Sequence, residues 1–303
     1  MATTSIDFTY EENYPLIRVY KNLLNDTKET LMGFLSRSAD RQVGGYLYSE
    51  WTEWFLFGKY ASAKTGDLTG LKLDINKECN EELHIYRTLQ DATRVAMSHY
   101  IGDKKVPLPP NSFLTVPSIS YYYPEVEINK ELKYTMNYHT DFNTGEYFWP
   151  ADKFLLTCTV YPNDNYDGGE IIFCVDKKQI TYKPEAGDII VFPSGNPIWP
   201  SNEPYFHAVN KVTNGTKYLC RAYTKYQYPM VTEKWQKGLD EHGEKWPEIA
   251  RKQASGLNIL SVHEQINEKN EKVMEFHVSE EIAKLYNMPS TKYSTGLEQI
   301  KWK

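Results

Sequence analysis

The 303 residues, 41% of them hydrophobic, suffice to bury one sizeable core, and a formal charge of −6 argues against affinity built on neutralising a phosphate backbone. Nucleic acid is therefore not expected as a partner. No stretch has the length of a membrane-spanning helix, and the first residues, MATTSIDFTYEENYPL, lack a basic start followed by an apolar run, so a cytoplasmic protein with no membrane partner is expected.

In chain order, residues 26–38 (DTKETLMGFLSRS) read as a short helix, and residues 44–60 gather seven aromatic rings as a core-covering segment or a lid. Residues 78–102 read as a longer amphipathic helix, with Leu83, Tyr86, Leu89, Ala92, Val95 and Ala96 near helical spacing. After the proline-rich break at 104–110 come eight short strand-like runs: SISYYY, TMNYHTDF, FLLTCTVY, GEIIFCV, QITYK, GDIIVFP, FHAVN and TKYLCRAYTKY. They suggest a jelly roll or barrel within a mainly β fold with flanking α-helices. From about Thr232 the composition is charged and reads as helical. The expected division is a helical and aromatic segment at 1–110 packed on a core at 111–230, with a helical extension at 231–303, all one integrated domain. Cys79, Cys158, Cys174 and Cys220 show no C-x-x-C spacing and are expected as reduced, buried thiols. His84, His99, His242, His263 and His277 read as structural or solvated.

Chemistry concentrates at Tyr138-His139-Thr140-Asp141. Residues two apart on a strand share a face at about 6–7 Å, so His139 and Asp141 can grip one metal ion. A third ligand must come from another strand, and His207 follows Asp141 by 66 positions. Two imidazoles and a carboxylate on one face of an octahedron suit non-haem iron(II) and leave three positions for cosubstrate and oxygen. Alone, the pair says little, because 7 histidines and 40 acidic residues produce roughly one His-x-acid by chance. Its weight comes from ordered neighbours: Asp167-Gly168-Gly169-Glu170, the run Gly187 to Pro193, His207, and Lys217 ten positions on.

Tyr121-Tyr122-Tyr123-Pro124, His139-Thr140-Asp141, Val160-Tyr161-Pro162-Asn163, Gly168-Gly169-Glu170-Ile171, Gly187 to Phe192, His207-Ala208-Val209 and Lys217 occur in the order of the iron(II)- and 2-oxoglutarate-dependent oxygenases. The sequence resembles that superfamily over residues 115–226, and most closely its prolyl-4-hydroxylase-like branch. The resemblance implies a double-stranded β-helix, a cupin-like jelly-roll core, and Fe(II) held by His139, Asp141 and His207, with 2-oxoglutarate and O2 as cosubstrates. It places Lys217 on the distal carboxylate of 2-oxoglutarate, Tyr161 and Tyr123 as phenols against the cosubstrate, and Thr157 and Thr159 as weaker candidates. If TKYLCRAYTKY is a strand, Lys217, Leu219, Arg221 and Tyr223 share one face. Arg221 could then hold the metal-proximal carboxylate, exchange roles with Lys217, hold a carboxylate of the substrate, or face solvent from an edge strand. Because halogenating relatives lack the carboxylate ligand, Asp141 argues against halogenation. The implied reaction is oxidative decarboxylation of 2-oxoglutarate to succinate, coupled to oxidation of a C–H bond by hydroxylation, desaturation or ring closure.

Substrate choice is expected to lie with the aromatic segment near Arg41, the loop 143–150 with Trp149, and Tyr138, Tyr223 and Arg221. A small, anionic, amino-acid-derived substrate anchored by Arg221 or Arg41 is the first expectation. Within it the layout looks like the algal kainoid synthases, which close a pyrrolidine ring on an N-prenylated glutamate. The alternatives are a prolyl-4-hydroxylase-like enzyme acting on peptides, and a jelly-roll binding module whose metal site is not catalytic. The oligomeric state is left open.

Overall fold

The computed structural model describes residues 8–24, 31, 51–54, 80–109, 112–115, 118–122, 134–141, 152–195, 199, 205–227, 233–246, 261–277, 280, 283, 292–296 and 298–302. In chain order these form β1 (Thr9–Tyr14), β2 (Ile17–Lys21), β3 (Trp51–Trp54), α1 (Asn80–Lys104), β4 (Ser112–Leu114), β5 (Ser118–Tyr122), β6 (Tyr134–His139), β7 (Asp152–Val160) and β8 (Asp167–Gly168). They continue with β9 (Ile171–Val175), β10 (Lys178–Tyr182), β11 (Ile189–Pro193), β12 (Phe206–Asn210), β13 (Val212–Asn214), β14 (Lys217–Gln227), α2 (Glu233–His242), β15 (Ser261–Ile266), β16 (Lys272–His277), β17 (Lys292–Gly296) and β18 (Glu298–Lys301).

A strand covered on both faces has to be apolar throughout, and Ile189-Ile190-Val191-Phe192 of β11 is. β11 lies inside the larger sheet, ordered β1-β2-β11-β7-β14-β5-β3, with β4 also paired to β14. The smaller sheet runs β18-β10-β9-β12-β6. Side-chain alternation divides the larger sheet cleanly. Ile189, Val191, Leu156, Cys158, Val160, Cys220 and Ala222 face out to Leu89, Ala92, Ala96, Met97 and Tyr100 of α1. Ile190, Phe192 and Leu219 face in, toward Ile171, Phe173 and Val175 of the smaller sheet. The core is thus a jelly roll closed by two facing sheets, with α1 on the outside of one. All eight strands expected between 118 and 226 are present. The three described cysteines, Cys158, Cys174 and Cys220, are buried free thiols, and Cys79 lies outside the described residues.

Two expectations need correction. The N-terminal segment begins with the β1–β2 hairpin, which extends the larger sheet through β2 and β11. Its buried Arg18 is paired with Glu12 at 2.7 Å and with Asp103 at the end of α1 at 2.6 Å, and its guanidinium lies 4.1 Å from the Tyr10 ring centroid. The C-terminal stretch is not a helical extension. After α2 it forms the antiparallel sheet β15-β16-β17, and β18 joins β10 in parallel. Charged residues such as Glu264, Lys272 and Glu275 sit within these strands, so a charged composition does not require a helix. Trp302, just beyond β18, is buried against Tyr182 with ring centroids 5.3 Å apart. The helix expected at 26–38 lies outside the described residues except for Leu31, which is helical and buried. Of the aromatic segment, Trp51–Trp54 is a strand and the remainder is outside them. Among the described residues, no helix is long and apolar enough to cross a membrane.

Leu89 is fully buried at the contact between α1 and the larger sheet. Leu89→Ala is expected to lower unfolding free energy in urea by about 2–5 kcal/mol through lost burial and a residual cavity. A loss below about 1 kcal/mol would show that this layer contributes little.

Candidate metal centre

β6 and β12 pair antiparallel with His139 opposite His207, so the sheet makes the two imidazoles cross-strand neighbours, with ring centroids 4.3 Å apart. Asp141 follows His139 by two positions, just past the end of β6. Its Oδ1 lies 3.6 Å from His139 Nε2 and its Oδ2 3.5 Å from His207 Nε2. One ligand atom from each of the three residues falls within 4.8 Å of the others, a spacing that one metal ion can bridge.

Neighbouring groups fix these ligands. His207 Nδ1 is 3.2 Å from the carbonyl of Tyr205; a carbonyl only accepts, so Nδ1 carries the proton and Nε2 keeps its lone pair for a metal. Burial, and then the nearby His139, push the His207 pKa down to about 4, against the pull of Asp141, so the ring is neutral at pH 7. Burial alone would raise the Asp141 carboxyl. The two histidines and the Thr157 hydroxyl outweigh it and hold the pKa down to about 2. Thr157 Oγ1 donates to Asp141 Oδ2 at 2.7 Å and accepts in turn from Ser194 Oγ at 2.7 Å. Phe192 stands edge-on to His207 at 4.9 Å.

The three residues border one cavity. Its polar lining includes Thr157, Thr159, Tyr161, Tyr122, Lys217 and Arg221. β14 is a central strand, so Arg221 faces the cavity and not solvent. Register on β7 puts Tyr223 opposite Thr157 and Arg221 opposite Thr159, whereas Lys217 pairs with Tyr122 on β5. Arg221 is therefore the cation on the triad side and Lys217 the remote one.

Lys217 is fully buried, and among the described residues its ammonium has no carboxylate partner. Nζ donates to the Gly169 carbonyl at 2.5 Å and lies 5.0 Å from the Tyr161 ring centroid. Burial, followed by repulsion from Lys183, pushes its pKa down to about 7, with Glu170 opposing. Asn163 brackets it along the chain, donating to the Thr216 carbonyl at 2.8 Å and accepting from the Tyr218 amide at 2.9 Å.

Of the other expected site residues, Thr159 Oγ1 donates to Tyr161 Oη at 3.3 Å, and both line the cavity. Tyr223 lies beside Arg221 and stacks on Phe154 at 4.6 Å; burial pushes its pKa up to about 12. Tyr138 needs correction. It precedes His139 on β6, so alternation sends it away from the cavity, and its hydroxyl accepts from Gln179 Nε2 at 2.6 Å. Tyr123, Arg41 and Trp149 lie outside the described residues. Sequence reasoning missed Ser194, although Ile190, Phe192 and Ser194 continue one inward alternation, and it missed Tyr122, whose neighbour it preferred.

Residues 127–225, which hold every charged residue of this cavity, match the family model described as the 2OG-Fe(II) oxygenase superfamily. A PKHD-type hydroxylase from Prochlorococcus marinus (strain MIT 9301) is 35% identical over 79 residues, covering 26% of this chain and 31% of that protein. Another, from Rippkaea orientalis, is 30% identical over 86 residues, covering 28% and 34%. The chain spans about a third of the length of these relatives. Among solved structures, the viral collagen prolyl hydroxylase of Paramecium Bursaria Chlorella virus-1 aligns with a TM-score of 0.43 at 15% identity, over 70% of this chain and 96% of the other. A Pseudomonas putida prolyl-4-hydroxylase aligns with a TM-score of 0.40 at 13% identity, over 74% and 95%.

The Thr157 hydroxyl orients the carboxylate of the cluster. Thr157→Val is expected to weaken Fe(II) affinity, measured by anaerobic competition with a chelator, by about 10- to 100-fold. Unchanged affinity would remove Thr157 from the support of the site.

Proposed function

We propose that the protein is an iron(II)- and 2-oxoglutarate-dependent dioxygenase in which His139, Asp141 and His207 hold the metal and Lys217 pairs with the distal carboxylate of 2-oxoglutarate. One observation carries this reading: a fully buried ammonium, with no carboxylate partner among the described residues, borders the same cavity as a two-histidine, one-carboxylate cluster. A charge kept in the interior costs several kcal/mol unless an opposite charge meets it. A dianion with a 2-oxo acid at one end and a carboxylate at the other offers partners to both sites. The donor set fits iron(II), with two neutral imidazoles and one ionised carboxylate on one side. Iron and the 2-oxo acid together supply dioxygen activation, with succinate and carbon dioxide released and a C–H bond oxidised.

The chain's own residues bind, orient and exclude water. Thr157 and the Tyr205 carbonyl fix the ligands; Met136, Ile171, Phe192, Val209 and Leu219 make the remaining walls apolar, which strengthens every charge interaction within. Arg221, with its fixed fork of donors on the triad side, is the proposed anchor of a small, carboxylate-bearing, amino-acid-derived substrate. Hydroxylation is the proposed outcome, and kainoid-type ring closure its narrower alternative. A second reading is a peptidyl hydroxylase; the names of the PKHD-type hydroxylases that share residues with this chain support hydroxylation in either reading.

Lys217 sets the pH dependence. Its amine has a pKa of about 7 in the fold and about 10.4 in an unfolded chain. Between those values the unfolded chain holds the extra proton, so ligand-free stability is expected to rise as pH climbs through that window. A dianion requires the charged amine. Titration calorimetry of 2-oxoglutarate, in buffers of differing ionisation enthalpy, is therefore expected to show uptake of nearly one proton at pH 8 and little at pH 6. Lys217→Met should raise the dissociation constant of 2-oxoglutarate by about 10- to 100-fold. No proton uptake at pH 8, with Lys217→Met binding normally, would move the distal carboxylate elsewhere.

Amino acids, N-alkylated glutamates and proline-containing peptides should be screened for stimulated succinate release. Stimulation by a small carboxylate that is lost in Arg221→Leu and in His139→Ala is the expected result. A response confined to peptides would favour the second reading. Succinate release that no substrate stimulates and His139→Ala does not alter would leave a binding module.

A further inference from the structure

The two glycines of the Asp167-Gly168-Gly169 turn both have positive φ, +71° and +68°. Gly168 leaves no space for a Cβ, and at Gly169 one would be strained and tightly packed. A Cβ on Gly168 would lie 1.9 Å from the Lys211 carbonyl, and one on Gly169 would meet Tyr166 at 3.0 Å and Lys217 at 3.1 Å. What this left-handed turn presents is a row of carbonyl oxygens, and two lysines take them. Lys217 donates to Gly169 O at 2.5 Å, while Lys183, just after β10, donates to Gly168 O at 2.5 Å and to Tyr166 O at 2.9 Å. The Tyr166 ring lies between them in the sense that both ammonium groups approach it, Lys183 at 3.7 Å from the centroid and Lys217 at 5.7 Å.

Lys183 is thus neither a solvated surface lysine nor part of an ion pair in the described residues. Its charge faces carbonyls and a ring π-face, which soften the repulsion between two like charges without cancelling it. The titratable groups whose charges act on it are Lys217, which opposes its charge, and the acids Glu170, Asp167 and Asp164. All three acid groups lie on the same loop and favour the charged lysine. Its removal would free the Gly168 and Tyr166 carbonyls and loosen the turn against which Lys217 is held.

We propose that Lys183 is a positioning residue for the cosubstrate's distal carboxylate: it pins the double-glycine turn that holds Lys217 and supplies the second positive charge of a two-lysine anion site beside the Tyr166 ring. This rests on the reading that Lys217 takes that carboxylate. It goes beyond it by making the anion site a unit of two cations on one turn. Lys183 acts through Lys217 and needs no contact with the cosubstrate. The repulsion between the two also explains in part why the Lys217 amine gives up its proton so readily.

The test uses the full chain with Lys183→Met, Lys183→Arg and Lys217→Met, each checked for folding by thermal unfolding. The readouts are calorimetric binding of 2-oxoglutarate and the pH titration of the Lys217 amine, followed by NMR of 13C-labelled lysine without cosubstrate. Lys183→Met is expected to weaken 2-oxoglutarate binding by about five- to tenfold and to move the Lys217 titration to higher pH, with Fe(II) affinity unchanged. Lys183→Arg, which keeps charge and donors, should restore both. If Lys183→Met fails to fold, a Lys183→Gln variant, which keeps a donor without the charge, is expected to move the titration in the same direction. Cosubstrate affinity within twofold of the unaltered chain and an unmoved Lys217 titration would overturn the proposal. Lys217→Met that binds normally would instead overturn the reading beneath it, whereas weak binding by Lys217→Met beside normal binding by Lys183→Met would sink the two-lysine site alone.

Discussion

The structure depends on one constraint: strands covered on both faces can carry polar side chains only on the side where those groups meet one another. In β7, β11 and β14 the outward positions are Cys158, Val160, Val191, Cys220 and Ala222, all packed beneath α1. The inward positions of the same strands hold Thr157, Thr159, Lys217 and Arg221, which share a single cavity. Each polar group is expensive in isolation. Collected on one face, they satisfy one another in part and leave a defined remainder for a ligand. A shift of one residue in the register of β14 would bring Lys217 and Arg221 under the helix and Cys220 into the cavity, so the position of the site and the stability of the fold have one cause.

That remainder has a shape. Around the triad, donors and acceptors are matched: the Tyr205 carbonyl takes the His207 proton, and Ser194 and Thr157 relay hydrogen bonds to Asp141. Around Lys217 they are not, because carbonyl and ring contacts stabilise an ammonium much less than a carboxylate does. The cavity thus has a side where a metal ion could be held and, farther along β14, a cationic side. Both sides are needed for a ligand that is a chelator at one end and a carboxylate at the other. A metal cluster alone would be equally compatible with a storage or structural role.

Much of this was legible in the sequence because it follows from alternation. His139 and Asp141 two apart, and Lys217, Leu219 and Arg221 two apart, needed only the period of a strand to be placed on common faces. The pairing of His207 opposite His139 was not legible, since it depends on a register between strands separated by 66 residues beyond Asp141. Tyr138 was misjudged for proximity in sequence: adjacency to a ligand on a strand sends a side chain to the opposite face. The C-terminal strands were misread because charge density alone does not separate a solvated helix from a half-solvated sheet. Lys183 carried no signal at all. A lysine after a strand reads as solvent-facing, and only the folded chain brings it to the Gly168 carbonyl.

The double-glycine turn joins these threads. In the sequence Gly168-Gly169 is a marker of strand-turn-strand order, explained by backbone freedom. In the fold, freedom matters less than close approach: the Lys211 carbonyl on one side and the Lys217 side chain on the other crowd the places where a Cβ would lie. A turn crowded by the Lys211 carbonyl and the Lys217 stem couples the smaller sheet, through Glu170 and β9, to the first residue of β14 on the larger one. The hydrogen bond to the Gly169 carbonyl ties the end of the lysine stem to backbone. In the proposed reading, a site built so holds both ends of a short dianion without waiting for either side chain to find its place.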